Sequence, residues 1–579
     1  MMPIARFFIK FIIIFFIGVC LVPMSASAAD NDQISYQISG VKGNMLKNVN
    51  AVLKSAQGKR ALNKDTIQDI YQQVPENVKL ALQPFGYFRP TIKTQLTQNN
   101  DTQWTATLKI TAGPALPVAD IKIDITGPGT KDPAFKRLLA NLPLKQGEKF
   151  TTKQYDDTKQ SLFAVANNNG YIDAKLIKQQ VSIDLKNYRA TVTLELATGI
   201  RYYFGTVHVT PNFFSAEFIK RYLNFKPGEV FSPERLLAYQ QNLNNSGFFQ
   251  QVMIKPQQNK AIKAHVPIEV TPTPVKPQRW QLGGGYGTDT GIRGSLGWQW
   301  RRITDDGQHF STSLSGSAQI GINFNATYFI PGSDPLNDLY TITTNIFNYS
   351  TDAGKSFTQN YGVNYLTSLD GIQQTASLSY INETYNLTNE ATQHAQLIMP
   401  SLTWMYLDAD NPLSPTKGVR VTLNVRGSQQ GLLSSTSFIQ SQLNINWVRP
   451  LVWGSRIVAH ETIGATGATN FSKVPLSIRF TAGGAQSVRA YGYQALGPGK
   501  FLIQTTEEFQ QRVYGHFYVG GFFDAGNAFN NFNTAQLLKT SAGPVVVWDS
   551  PVGSLELSVA KRLSSTNIWS VEFSMGTLL

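Results

Sequence analysis

From residue 278 onward the dominant pattern in the chain is alternation. Val419-Arg420-Val421-Thr422-Leu423-Asn424-Val425-Arg426 places an apolar residue at every second position, as do Gln442 to Trp447, Leu555 to Val559 and Val571 to Met575. A strand points successive side chains to opposite faces, so each of these segments has one apolar and one polar face. Charged residues make up only 15% of the chain, against 42% hydrophobic, and glycine, tyrosine and phenylalanine are abundant. Past the first thirty residues no run of ~18 or more apolar residues remains to form a spanning helix. Low charge, many aromatics and two-faced strands predict a transmembrane antiparallel β-barrel. A soluble sandwich would not need so many tyrosines and tryptophans at strand ends. With ~9–11 residues per spanning strand, and roughly nineteen per strand and connection, the remaining ~300 residues give about 16 strands. An even number closes such a sheet without leaving an edge unpaired.

The chain opens with Arg6 and Lys10, an apolar run from Phe11 to Val22, and Ala26-Ser27-Ala28. A basic start, an apolar centre and a small-x-small site predict a Sec-type signal peptide over 1–28, hence export. The one cysteine, Cys20, lies inside it, so the mature chain has no thiol. The formal charge of +14 includes Arg6 and Lys10, which leaves 14 − 2 = +12 after residue 28. The basic residues are scattered and no nucleic-acid motif accompanies them. The charge therefore reads as solvation, with attraction to anionic lipid or acidic clients.

Between the two ends, one pattern occurs three times. Ala81 to Phe88, Ala166 to Ile172 and Leu243 to Phe249 each carry a helical stretch into a glycine followed by bulky residues. Glycine suits the left-handed conformation that ends a helix. The glycines, Gly86, Gly170 and Gly247, recur after 84 and 77 residues, a domain-sized period. A second shared piece, Gly147-Glu148-Lys149-Phe150 and Gly228-Glu229-Val230-Phe231, precedes a helix in the last two copies. Alternating strands open and close each unit. The expected organisation is three β-α-α-β-β domains over 29–115, 116–199 and 200–271, then a barrel over 272–579. Thr271-Pro272-Thr273-Pro274-Val275-Lys276-Pro277 reads as a stiff linker between them.

One charged residue in the barrel half stands out. Arg489 lies in a glycine-rich run, Ala482 to Tyr493, that is suited to folding in a confined space. An arginine there needs carboxylates, and Glu508 and Asp524 follow at strand-like spacing. On spacing alone a surface-loop arginine is equally consistent.

These residues carry a family resemblance. The helix-glycine-aromatic units resemble POTRA domains, the periplasmic modules of the outer-membrane protein insertase superfamily. Val488-Arg489-Ala490-Tyr491 is similar to that superfamily's Val-Arg-Gly-Tyr/Phe motif, on a loop that tucks into the barrel lumen. The resemblance implies Glu508 and Asp524 as the acidic partners. It also implies a lateral gate between the first strand, with Gly283, Gly284, Gly285 and Gly287, and the last, with Gly576. Ala490 replaces the usual glycine, and Val547 replaces an arginine common before Trp548. Three repeats make the translocation-and-assembly-module branch the best match.

The resemblance implies a protein of the cell outer membrane, with its POTRA domains in the periplasm, that inserts β-barrel proteins such as autotransporters. Its implied partners are unfolded barrel clients, outer-membrane lipid and a TamB-like inner-membrane-anchored protein. A general assembly factor of the BamA type normally has five repeats, and a two-partner-secretion transporter has two. No nucleic-acid partner, cofactor or metal is expected. An enzyme is the weakest reading. The six histidines lack metal-ligand spacing, Gly283 to Gly287 is followed by no helix that would make it a phosphate loop, and no Gly-x-Ser-x-Gly turn occurs.

Overall fold

In the computed structural model the described residues are 32–58, 62–287, 290–388, 390–411, 414–431, 433–532, 538–551, 553–563, 567–576 and 578. The expected signal peptide, 1–28, lies outside them. The chain divides into two compact units. One runs to Tyr203 and includes Val230–Ser232; the other comprises Phe204–Glu229 and Pro233–Leu579. Among the described residues no helix is long and apolar enough to cross a membrane.

The first repeat is β1 (Gln33–Ser39), α1 (Gly43–Gln57), α2 (Lys64–Leu82), β2 (Thr91–Gln98) and β3 (Gln103–Thr111). Its sheet has the order β1-β3-β2, with β1 and β3 parallel. Asn63 caps α2 and exchanges bonds with Thr66, a reciprocal box that fixes where the helix starts. Val49, Leu53, Ile67, Val74, Val78 and Leu82 line one face of the two helices and pack on Ala106, Leu108 and Ile110 of the central strand. The second repeat is β4 (Val118–Thr126), α3 (Pro133–Ala140), α4 (Thr152–Asn168), β5 (Lys175–Asp184) and β6 (Arg189–Ala197), with sheet order β4-β6-β5. The third is β7 (Tyr203–Val209), α5 (Ala216–Lys220), α6 (Pro233–Asn245), β8 (Phe249–Pro256) and β9 (His265–Pro274), ordered β7-β9-β8.

The repeated glycines do more than end helices. Gly86 has φ +82°, and a Cβ there would fall on the Phe150 carbonyl oxygen. The Gly86 carbonyl accepts from Leu116 N–H at 2.8 Å, and Phe150 N–H donates to Leu116 at 2.8 Å. Phe88 packs against the core of the second repeat. The recurrent Gly-Glu-x-Phe piece is thus the surface on which the preceding helix end rests. Gly170 makes the corresponding bond from Tyr202 N–H, also at 2.8 Å. Around Gly247 a Cβ would meet nothing within 4 Å.

The expected Thr271–Pro277 linker is largely strand. β9 extends to Pro274, and Pro272 lies opposite Val252 in β8. β7 ends at Val209, so beyond Val270 the other edge of β9 needs no N–H donor and tolerates proline.

Sixteen strands form the membrane sheet. They are β10 (Gln278–Gly287), β11 (Gly291–Trp300), β12 (His309–Ser317), β13 (Gly321–Pro331), β14 (Leu339–Thr351) and β15 (Gly354–Leu369). Next come β16 (Ile372–Leu387), β17 (Gln393–Ala409), β18 (Gly418–Ser428), β19 (Phe438–Pro450) and β20 (Ser455–Ala468). A short hairpin, β21 (Phe480–Ala482) and β22 (Leu496–Gly499), stands outside this sheet. The sheet resumes with β23 (Phe501–Tyr514), β24 (Phe517–Phe529), β25 (Lys539–Ser550), β26 (Gly553–Arg562) and β27 (Trp569–Gly576). Neighbouring strands in the sheet pair antiparallel, in sequence order. β10 and β27 come near each other, but among the described residues no ladder joins them, and the sheet there ends on two edges.

Within the second unit the third repeat rests on the turns between barrel strands. Ser215 N–H donates to the Asp305 carbonyl at 2.9 Å. The Phe218 ring occupies the space a side chain at Gly307 would need. Phe248 packs edge-on against His309, with ring centres 5.5 Å apart.

Candidate functional site

The connection from β20 to β23, residues 469–500, folds into the lumen. Gly483 and Gly484, both at φ +104°, start a tight reversal closed by Gly484 N–H on the Tyr491 carbonyl at 2.9 Å. Val488 is fully buried and packs with Phe480, Tyr491, Leu502 and Ala528. Gly526 on β24 gives it room, since a Cβ there would come within 3.0 Å of the Val488 side chain. Ala490 takes the left-handed φ of +69° that the usual glycine would adopt without strain. Its methyl is buried among Tyr518, Phe522, Val545, Val547 and Ala560.

Between these apolar neighbours Arg489 is 2% exposed. Nη1 donates to Glu556 Oε1 at 2.8 Å, and Nη2 is bonded to Glu508 Oε1. Nε lies 3.4 Å from Asp524 Oδ2, which also accepts the Arg489 backbone N–H at 3.0 Å. Phe522 lies under the guanidinium, its ring centre 3.8 Å from Cζ. Strand parity turns one carboxylate of each of β23, β24 and β26 to the same face, in different cross-strand rows: Glu508 opposite Phe522, Asp524 opposite Thr506 and Glu556 opposite Val547. One guanidinium therefore faces three carboxylates, a fork geometry that lysine cannot reproduce.

The cluster extends along the wall. Gln510 Nε2 donates to Glu508 Oε2 at 2.7 Å, and Gln510 Oε1 accepts from Arg456 Nε at 2.8 Å. Arg456 grips Asp549 with both Nη atoms, at 2.8 and 3.0 Å, under the Tyr518 ring. Arg562 lies over the Tyr491 ring at 4.1 Å and donates to the Ala490 carbonyl at 2.8 Å. The hydrogen-bonded chain from Asp549 to Glu556 thus fastens the loop and β20, β23, β24, β25 and β26 to one another. A cavity of about 200 Å³ beside it is lined by Arg420, His460, Arg489, Glu508 and Glu556.

Of the residues singled out from sequence, the structure brings Arg489, Glu508 and Asp524 together. It adds Glu556, Arg456 and Asp549, which the sequence reading did not select. Glu556 had a signal: it is the charged member of the alternating Leu555-Glu556-Leu557, and a charge on a spanning strand needs a partner in the lumen.

The gate glycines lie at the unpaired edges. Gly283, Gly284, Gly285 and Gly287 on β10 face Ser295, Gly294, Arg293 and Gly291 of β11, and Gly576 faces Ser554 of β26. Glycine lies opposite glycine at Gly284–Gly294 and Gly287–Gly291, so this end of β10 has few side-chain contacts with β11, whereas the other end stacks Trp280 on Trp298. A glycine-rich strand end bends easily. Inside the edge is a cavity of about 470 Å³ lined by Gly283 to Gly285, Arg293, Ser315 and Asn323.

Comparison with known families places a match to the Omp85 superfamily domain on residues 276–577. The POTRA domain described as TamA domain 1 matches residues 35–112, and the surface antigen variable number repeat matches 121–199 and 202–272. Among solved structures, BamA from Haemophilus ducreyi lacking POTRA domains 1–3 superposes with a TM-score of 0.67. Identity is 16%, over 79% of this chain and 99% of that one. CdiB from Acinetobacter baumannii gives a TM-score of 0.47 at 14% identity, over 92% of this chain and 99% of that one.

Proposed function

The chain belongs to the Omp85 superfamily, whose domain covers more than half of it, and from that premise we propose that it is a TamA-type assembly factor of the outer membrane. In this reading it inserts β-barrel proteins, autotransporters among them, by opening its barrel between β10 and β27, and its three POTRA domains stand in the periplasm. The observation that carries the reading is the pair of unpaired edges. A strand edge in lipid presents N–H and C=O groups that only another strand can satisfy. An unfolded client is such a strand, and it adds by β-augmentation. The two edges accept it without first breaking a ladder. The arginine-centred network holds β20 to β26 together while the opposite flank, rich in glycine, gives way. The TamA-type match of the first repeat favours a TamB-like inner-membrane-anchored partner at the periplasmic end.

The test is a locked seam. One cysteine is placed between Gly283 and Gly287 and another between Phe573 and Gly576, in a mature chain that has none. Oxidised in cells, the pair is expected to stop an autotransporter reaching the surface while the barrel stays folded, and reduction is expected to restore it. Assembly that continues at full rate through a crosslinked seam would refute lateral opening.

A further inference from the structure

The loop that carries Arg489 has a second buried contact, on a different part of the wall. Glu383 of β16 is fully buried, and no lysine, arginine or histidine among the described residues pairs with it. Its Oε1 accepts from Ser356 Oγ at 2.8 Å and from Ser477 N–H at 3.1 Å, and its Oε2 is bonded to Ser477 Oγ. Three of the groups around this carboxylate are thus donors, two of them from one loop residue. An ionised side chain taken out of water without a counter-charge is costly unless such donors replace the solvent.

The apolar residues on either side of Ser477 are seated too. Val474 and Ile478 pack on Ile381, Leu397 and Met399. Leu476 packs on Tyr349, Tyr385 and Ala395. Gln440 Nε2 donates to the Ile478 carbonyl at 2.9 Å. Arg479 folds back on the loop itself, donating to the Val474 and Ser472 carbonyls at 2.9 and 2.8 Å. Loop residues 474–479 therefore belong to the wall of β14 to β17 and β19, whereas Val488 to Tyr491 belong to the wall of β23 to β26.

We propose that Glu383 is the second anchor of a strap across the lumen, and that the strap seals the barrel against small solutes. Arg489 tethers one end of the loop; at the other, the apolar seats of Val474, Leu476 and Ile478 and the Gln440 bond give position, and Glu383 adds the charged acceptor that pins Ser477. With Glu383 holding Ser477, the loop is fixed at two places on different walls and occupies the space between them. This sealing role is separate from client insertion and does not depend on the seam opening. Glu383 acts through Ser477 and is a positioning residue.

The experiment is planar-bilayer conductance of the full chain, with the folded state followed by the heat-modifiable shift of its gel band. Glu383→Ala is expected to keep the folded band and to give frequent open-channel events that the parent protein lacks. Glu383→Gln, which keeps an acceptor oxygen, is expected to stay near the parent. Replacing Glu383 and Ser477 together by cysteine is expected to give a barrel that is silent when oxidised and conducting when reduced. Should Glu383→Ala fail to fold, the cysteine pair decides alone, since its two states share one sequence. A reduced pair as silent as the oxidised one, or a folded Glu383→Ala barrel with parental conductance, would overturn the proposal.

Discussion

The charge count around Arg489 makes a prediction whose sign can be worked out. The arginine side chain is 3% exposed, and those of Glu508, Asp524 and Glu556 are 3%, 0% and 17% exposed. One positive charge faces three formal negative ones. Arg489→Ala would leave all three carboxylates buried with no cation, and breaking a buried pair in this way costs about 3–5 kcal/mol. At about 1.4 kcal/mol per factor of ten, loop docking should weaken by about two to four powers of ten. Glu556→Gln is different. It removes the most exposed of three competing carboxylates and keeps an acceptor for Nη1, so it should cost about 1 kcal/mol or less. Combined with Arg489→Ala the same change should stabilise, because Glu556 then only repels Glu508 and Asp524. The two effects should couple by about 1–3 kcal/mol, as expected for groups within one network. The assay is the urea midpoint of the heat-modifiable folded band for the four proteins of the cycle, together with protease protection of residues 469–500. Additive effects, or a wild-type midpoint for Arg489→Ala, would refute the shared-cation account.

Three further outcomes follow from the same geometry. Gly86→Val and Gly247→Val impose a similar penalty for a left-handed φ, but only the first collides with a neighbouring domain. Protease cleavage between residues 112 and 118 of the full chain should rise for Gly86→Val alone. On the outer face of the barrel, Glu507 lies opposite Ala459 and Glu461 opposite Thr505, within a band that exposes Ile463, Phe509 and Phe523. Trp447 Nε1 donates to Glu461 at 3.1 Å, which leaves Glu507 the less supported of the two. Glu507→Gln should therefore raise the unfolding free energy by about 1 kcal/mol, a fraction of the cost of a charge facing lipid, and so move the urea midpoint up; a lowered midpoint would refute the assignment. In the β5–β6 turn, the Asn187 N–H, the Asn187 amide and the Lys186 N–H all donate to Asp184 and hold its carboxyl below the usual carboxylate range. A pKa lower in the folded than in the unfolded state stabilises above the unfolded value of about 3.9 and loses that effect as pH falls through the folded value. Asp184→Asn should thus flatten the acid side of the second repeat's stability curve, and an unchanged slope would count against the turn.

What could be read from the chain divides along physical lines. Alternation fixes which residues of a strand share a face, and the length of a strand and its connection gives about sixteen strands. The choice of Glu508 and Asp524 rests on an arginine's need for carboxylates and on the family resemblance. The helix-ending glycines follow from local conformational preference. Register across strands does not follow, because it depends on pairing between distant segments. Glu556 lies opposite Val547, in a row that crosses β24 at Tyr518 and β23 at Arg512, so its meeting with Arg489 beside Glu508 is not legible from any one strand. Arg456 and Asp549 lie 93 residues apart and meet for the same reason. The proline run was misread because a local rule, that proline breaks strands, ignores which edge of a strand is already free.

The unpaired seam shows why local legibility is not enough here. A closed barrel leaves no edge in lipid, and sequence patterning argues for closure. This sheet instead ends on β10 and β27, and the residues that could close it are the ones that favour it least. β10 carries four glycines against two on the facing stretch of β11, so few cross-strand contacts reward a fixed geometry there. The stabilising side-chain networks lie elsewhere, on β14 to β17 through Glu383 and on β20 to β26 through Arg489 and Arg456. A wall held firmly on two flanks, with its weakest pairing at the join, confines any opening to the β10–β27 line. The loop that crosses the lumen is fastened to both firm flanks and, by Arg489 and Glu383, to neither side of the join. On the proposed function, opening the seam need not release the loop, so client insertion and sealing are separable by mutation: Glu383→Ala is expected to leak without losing assembly, and the locked seam to lose assembly without leaking.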